Sequence, residues 1–183
     1  MKKTVWTFGL ISGAILSAMM LVTLPLIDSI GSAGEIIGYT TMVLAGLLIF
    51  FGVRSYRDNV RGGTVGFGRA LVVGLLITSV STACYVATWE LLYFKVKPSM
   101  QTAMSAAMVK QAKAKGGTPE QVAQRVAEVE KFTTMYQNPL YNMAMTFLEP
   151  LPVGVVLSLV SAGVLRRKRR RDDEALIVPA VVT

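Results

Sequence analysis

The sequence predicts an all-α fold: a polytopic membrane protein whose four transmembrane helices are interrupted, between the third and the fourth, by a periplasmic helical hairpin. Three observations predict it. Hydrophobic residues make up 52% of the 183-residue chain and charged residues 16%, with a mean hydropathy of +0.51. An ordinary globular domain carries roughly a quarter charged residues, and a chain this short has too little interior to hide so much apolar surface from water. The charges also gather between long uncharged runs, and an apolar run of about 18 residues or more crosses roughly 30 Å of hydrocarbon as a helix. Finally, the lysines and arginines of the short connections all fall on one side of those runs, as they do when cytoplasmic loops retain positive charge.

The first run, Thr4 to Ile27, has 24 uncharged residues between Lys3 and Asp28. Lys2 and Lys3 ahead of it and Ser17-Ala18 inside it also fit a cleaved signal peptide, but the run is too long for an ordinary h-region. The second, Ile36 to Val53, has 18 residues between Glu35 and Arg54, and the third, Ala70 to Trp89, has 20 between Arg69 and Glu90. Residues 1–94 are therefore expected to hold spans at about 4–27, 36–53 and 70–92. The fourth span, within 139–166, is apolar from Leu140 to Leu165 apart from Glu149, carries Pro150 and Pro152, and ends at Arg166. Lys2, Lys3, Arg54, Arg57, Arg61, Arg69 and the tail cations lie on one side, and the opposite short loop, Asp28 to Glu35, has none. Both termini are therefore expected in the cytoplasm.

Residues 95–138 change composition to Ala, Lys, Gln, Glu and Met, strong helix formers polar enough for water. One helix is expected from about Ser99 to Lys115, with Met100, Met104 and Met108 forming a stripe. Such a stripe suits hairpin packing better than a soft-metal site, which needs tighter clustering. Gly116-Gly117 ends that helix. Thr118-Pro119-Glu120-Gln121 then starts another by a capping box, with Pro119 where its missing N–H costs nothing. Val122, Val126, Val129, Phe132 and Met135 are its expected buried face, and Asn138-Pro139 is the turn into the fourth span.

Lipid supplies no hydrophobic drive between spans, so close approach at small residues is expected to hold them together. Gly9, Gly13 and Ser17 line the first span; Ala70, Gly74, Thr78 and Thr82 the third; Gly154, Ser158 and Ala162 the fourth. Packing within the chain is favoured over a homo-oligomeric face. Trp6, Trp89, Tyr93 and Phe94 sit at run ends, where aromatic belts form.

With no histidine, one cysteine and 11 carboxylates, the chain lacks the material for a His-based triad, a Cys/His zinc centre or a disulfide framework. No catalytic residue, cofactor or metal is therefore expected. The net charge of +8 is explained by membrane topology rather than by nucleic acid. Arg61 to Ala70, RGGTVGFGRA, has the GxxxxG spacing of a phosphate loop but Arg69-Ala70 in place of the Lys and Ser/Thr, so a flexible cytoplasmic turn is expected. Arg166, Arg167, Lys168, Arg169, Arg170 and Arg171 act first as a stop-transfer signal and can contact anionic headgroups at about 1 kcal/mol per cation. Residues 167–183 form a basic cytoplasmic tail, expected to be disordered from Asp172 onward.

Glu149 is the most informative single residue, because a carboxylate inside a span is costly and calls for a partner or water. At 1.5 Å per residue it lies about 24 Å from Leu165, in the outer part of the hydrocarbon, and Glu90 lies about 30 Å from Ala70, near the same boundary. A cation or proton site could use Glu149 and Glu90, with carbonyls freed by Pro150 and Pro152. The favoured alternative is an interfacial Glu149 paired with Lys95, Lys97 or a tyrosine hydroxyl such as Tyr141.

RSYRDNVRGGTVGFGRALVVG from Arg54, YVATWELLY from Tyr85 and NPLYNMAMTFLEPLPVGVVLSLVSAGVLRRK from Asn138 together resemble the DUF4199 family of bacterial membrane proteins. The resemblance covers nearly the whole chain and implies a four-helix inner-membrane protein with a helical insertion before the last span, but no activity. The family's aromatic-aromatic-proline-acid run corresponds to Tyr93-Phe94-Lys95-Val96-Lys97-Pro98-Ser99, with Ser99 at the acid's position. The functional expectation is an accessory or partner-binding protein that uses residues 98–138, set against a small ion- or proton-coupled transporter or channel that uses Glu149.

Overall fold

The computed structural model describes residues 1–23, 33–96 and 99–166. Its elements are α1 (Lys2–Thr23), α2 (Ala33–Val60), α3 (Phe67–Leu91), a π-helical turn (Leu92–Val96), α4 (Ser99–Ala114), α5 (Pro119–Tyr136), α6 (Pro139–Leu148) and α7 (Leu151–Leu165). No β-strand forms among the described residues. Four helical segments are long and apolar enough to cross a membrane: Lys2–Thr23, Ile36–Val60, Phe67–Val96 and Pro139–Leu165. The end of the first run, the loop through Ser32 and the tail from Arg167 through Arg171 to Thr183 lie outside the described residues, whereas Ala33 to Glu35, the end of the expected loop, already belong to α2.

The second helix runs past Arg54 to Val60, because a helix leaving the hydrocarbon can continue as a solvated extension. There Arg57 pairs with Asp58 at 2.7 Å and Arg54 with Asp58 at 3.7 Å. The fourth segment is interrupted at Glu149-Pro150, where α6 ends and α7 begins. Pro150 and Pro152 have no N–H for the carbonyls of Thr146 and Leu148, so the continuous bond ladder breaks there.

The chain divides into two compact units, Met1–Ser81 with Pro152–Thr183, and Thr82–Leu151. In the first, α3 and α7 interlock antiparallel through the small residues. A Cβ added at Gly74 would stand 2.9 Å from Ser158 Cβ, and one added at Gly154 would run into Thr78. The two hydroxyls at this crossing, Thr78 Oγ1 and Ser158 Oγ, are 3.3 Å apart. Each also returns to its own helix, Thr78 to the Gly74 carbonyl at 3.1 Å and Ser158 to the Gly154 carbonyl at 2.7 Å. Ala70 and Ala162, one step along the same register, are both buried.

Helix α1 joins through Gly9, whose added Cβ would lie 2.7 Å from Val80 Cβ, and through buried Gly13. Buried Ser12 donates to the Ala45 carbonyl of α2 at 3.0 Å and accepts from Ser81 of α3 at 3.0 Å, tying three helices with one hydroxyl. Helix α2 fits by Gly46 against Leu157 and Gly52 against Ile77 and Phe8. These α2 glycines and Ser12 were not among the expected packing residues.

Arg61 to Ala70 is not the free turn that its glycines suggest. Gly62 and Gly63 take φ of 63° and 86°, the left-handed region open to glycine, and the Gly63 amide donates back to the Arg57 carbonyl at 2.9 Å. Val65 is 2% exposed and belongs to the core with Val53, Tyr56, Ala70 and Leu165, so the loop is pinned by an apolar plug.

In the second unit α4 and α5 pack on each other. Gly116 and Gly117, at φ of 65° and 113°, separate them. The capping box forms as expected: the Gln121 amide donates to Thr118 Oγ1 at 3.3 Å and the Thr118 amide to Gln121 Oε1 at 3.1 Å, with Pro119 in the first turn. Arg125 closes the turn by donating to the Gly116 carbonyl. Met104 and Met108 are half-buried on α4, as are Val122, Val126, Val129 and Phe132 on α5. Met135 instead is 42% exposed, and Tyr136, four residues after Phe132, takes the buried place. A residue four positions on lies closer to the same helix face than one three on once the face has drifted past Phe132, and the aromatic ring stacks on Phe132 at 5.3 Å.

If the close α3–α7 approach organises the first unit, Gly154→Leu should lower stability by about 1–3 kcal/mol through overpacking. Gly163→Leu on the same helix meets no atom within 4 Å and should leave stability unchanged. Thermal unfolding in detergent compares them, and equal losses would refute the assignment.

Candidate functional site

The second unit concentrates its polar side chains where the latter half of α3 meets α6. Tyr85 and Trp89 are four residues apart on α3, and Asn142 and Thr146 four apart on α6, so each pair shares a helix face. Trp89 Nε1 donates to Asn142 Oδ1 at 2.9 Å, and Tyr85 OH donates to Glu149 Oε2 at 3.1 Å. Helix α6 is placed by Asn138, whose side chain accepts from the Leu140 amide at 3.0 Å, and by Pro139 in its first turn.

Asn142 is the hub and is fully buried, at 0% exposure. Its Oδ1 also accepts from Thr146 Oγ1 at 3.2 Å, and its Nδ2 donates to the Tyr136 carbonyl at 3.1 Å. Because the one Thr146 hydroxyl proton goes to Asn142, the Tyr136 hydroxyl, 3.1 Å from Thr146 Oγ1, is the donor of that pair. The last residue of α5 is thus held to α6 through both its carbonyl and its hydroxyl.

Aromatic rings surround this network. Trp89 stacks on Tyr93 at 5.5 Å, Tyr93 meets Tyr136 edge-on at 5.6 Å and Phe94 at 4.9 Å, and Phe132 meets Tyr141 at 6.4 Å. Tyr93 lies in the π-helical turn, where the altered bond pattern leaves its carbonyl to accept from Gln101 Nε2 of α4 at 3.2 Å. Of the residues expected to form aromatic belts, Trp6 is exposed, whereas Trp89 is half-buried and Tyr93 buried. Trp89 serves the network through its indole N–H, and Tyr93 through its ring and its backbone carbonyl.

Glu149 caps the end of α6, is exposed, and accepts from Tyr85 rather than from Tyr141 or Lys95 among the described residues. A tyrosine hydroxyl is indeed the partner, but it comes from α3, which the antiparallel pairing brings opposite. Lys97 lies outside the described residues, Lys95 forms no ion pair among them, and Tyr141 is engaged through its ring. Glu90 is half-buried, and its Oε1 is buried with no hydrogen-bond partner among the described residues. No hydrogen bond or ion pair joins it to Glu149 there. Pro150 is buried beside Glu149 and Pro152 is exposed.

Asn142, Trp89, Tyr85, Thr146 and Tyr136 were not singled out as a set by the sequence. The available signal was a neutral amide inside an apolar run, which segmentation by charge passes over. Chemically the network is a set of neutral donors and acceptors that fixes positions. Among the described residues no group of three or more His, Cys, Asp or Glu side chains is placed to hold a metal.

Replacing Asn142 by Leu leaves the Trp89 N–H, the Thr146 hydroxyl and the Tyr136 carbonyl without it, and should cost about 1–3 kcal/mol or more in detergent unfolding. Glu149→Gln keeps an acceptor for Tyr85 and should change stability far less. Coupling between Trp89→Phe and Asn142→Leu in a double-mutant cycle should reach at least about 0.5 kcal/mol, and additivity would remove the pair from the network. Burial pushes the Tyr136 hydroxyl above its ordinary value. Its contribution is therefore full below pH about 10 and lost as the pH rises, because the unfolded chain ionises first. Tyr136→Phe should flatten that alkaline fall, measured as unfolding temperature against pH.

Neither a curated protein nor a solved structure matches the chain. A family model described as a protein of unknown function, DUF4199, matches residues 7–167, a stretch containing the α3–α6 network and reaching into all four candidate spans. The chain therefore belongs to the DUF4199 family.

Proposed function

We propose that this chain is a non-enzymatic accessory or partner-binding protein of the bacterial inner membrane, with both termini in the cytoplasm and the α4–α5 pair standing in the periplasm to engage a protein partner. The observation that carries this reading is the double anchoring of Tyr136 to Asn142 and Thr146. A segment serving only to connect two spans needs a short loop. Here the connection is two packed helices with a capping box, and the end of the second is fixed by buried hydrogen bonds. Anchoring of that kind presents a surface in a defined orientation.

That surface is polar and mixed in charge. Lys110, Lys113 and Lys131 are exposed together with Glu120, Glu128 and Glu130, with small Ala103, Ala107 and Ala123 between them. A partner with a complementary polar face suits it better than lipid. The side assignment is supported by the cations of the short connections, which all lie on the opposite side of the spans from the pair. The carrier reading gains no such support: Glu149 is exposed and bound by Tyr85, and no hydrogen bond or ion pair joins it to Glu90 among the described residues.

Single cysteines at Ser99 and Arg61 in a Cys84→Ser background should react with an impermeant reagent added outside the cell at the first position only. A photo-cross-linking residue at Ala107 or Ala123 should capture one protein species in cells, while one at lipid-exposed Val164 should not. Labelling at Arg61 from outside, or the same captured species from Val164, would overturn the proposal.

A further inference from the structure

The first unit carries a second surface that the partner reading does not use. Its close approaches set four helix registers. Gly74 faces Ser158 and Gly154 faces Thr78; Gly52 faces Ile77; Gly46 faces Leu157; and Ser12 bonds both Ala45 and Ser81. Carried along the helices, these registers bring the start of α1, the end of α2, the start of α3 and the end of α7 to one level. The core cluster agrees, joining Val5, Tyr56, Ala70 and Leu165 from those four helix ends with Val65 from the loop between α2 and α3.

A few residues along the chain from Val5, Val65, Ala70 and Leu165 stand cations. Lys2 and Lys3 precede Val5, Arg61 precedes the Val65 plug, Arg69 precedes Ala70 and Arg166 follows Leu165, and all five are exposed. None of the five forms an ion pair among the described residues. The one described carboxylate at this end, Asp58, is already engaged by Arg57 and Arg54. A set of cations with no ion pair among the described residues is thus held by packed helix ends and a pinned loop, at the level where apolar helix surface gives way to charge.

We propose that this end of the first unit is a preformed binding surface for the phosphates of anionic phospholipid headgroups, built by the fold and independent of the arginine-rich tail. Guanidinium groups match phosphate oxygens in geometry as well as charge. The lipid phosphate is the anion that a membrane presents at this depth, and exposed apolar residues beside the cations, Val60 and Phe67, accept the acyl chains. The inference does not rest on the partner reading and stands or falls separately from it.

The test uses the full-length protein in a neutral detergent. Unfolding temperature is followed while phosphatidylglycerol, phosphatidylcholine or inorganic phosphate is titrated in. Phosphatidylglycerol should stabilise, and the other two should not. Arg61→Gln with Arg69→Gln should weaken the phosphatidylglycerol midpoint by about fivefold per cation removed, hence about 25-fold for the pair. Arg61→Lys with Arg69→Lys should recover much of it. Changing Lys110 and Lys113 of α4 to Gln, or Arg167, Lys168, Arg169, Arg170 and Arg171 together to Gln, should leave stabilisation in place. If the Arg61/Arg69 pair lowers stability without lipid, Lys2→Gln with Lys3→Gln gives the same reading from another helix. Equal stabilisation by phosphatidylcholine, equal stabilisation by inorganic phosphate, an unmoved midpoint in the Arg61/Arg69 variant, or loss of the effect in the tail variant would each overturn the proposal.

Discussion

Helices in lipid have no hydrophobic reason to leave it for one another, so the first unit depends on how closely backbones can approach. At the α3–α7 crossing that approach is made by Gly74 and Gly154, each opposite a hydroxyl residue of the other helix. The reciprocity matters physically. Each glycine makes room for a β-carbon and hydroxyl, and each hydroxyl satisfies itself on its own helix while remaining within reach of the other. Polar atoms are thereby brought into the interior without an unmet hydrogen bond. Ser12 applies the same logic to α1, α2 and α3.

The second unit meets the constraint by a different chemistry. Where water is scarce, a buried amide is tolerable only when its donors and acceptors are used, and Asn142 uses its oxygen twice and its nitrogen at least once. The consequence is positional. Indole, amide, threonine and tyrosine lock the end of α5 to α6, while the π-helical turn, with Gln101 returning to the Tyr93 carbonyl, fixes the start of α4. Both ends of the helical pair are therefore tied by specific bonds, which distinguishes a presented arm from a tether.

Much of this architecture was legible because it is written in local chemistry. Runs without charge marked the spans, Thr118 and Gln121 marked the start of α5, and small residues at every fourth position marked the faces of α1, α3 and α7. Each of those signals is complete within one helix. What was illegible needs two. Periodicity shows that Trp89 and Tyr85 share a face but not that Asn142 and Glu149 stand opposite, so run-end aromatics read as an interfacial belt, and a tyrosine hydroxyl could be expected on Glu149 without its being recognised as that of Tyr85. Val65 escaped notice because a single valine among glycines carries no period, and its role as a plug exists only once four helix ends converge on it.

The placement of the polar groups follows from what each costs to desolvate. Hydroxyls and one carboxamide, whose hydrogen-bonding capacity neighbours can meet, are fully buried at Ser12, Ser158, Thr146 and Asn142. Carboxylates carry charge that neighbours of this kind do not neutralise: Glu149 is exposed where α6 breaks, with a phenol as its partner, whereas half-buried Glu90 departs from this ordering, its Oε1 buried without a hydrogen-bond partner among the described residues. The exposed cations that form no ion pair among the described residues stand outside the apolar core altogether. The same ordering explains why the break at Glu149-Pro150 falls where it does. Proline interrupts the helix beside the one charged residue of the fourth span, so the carbonyls left without an N–H and the carboxylate fall at one point of the segment instead of two.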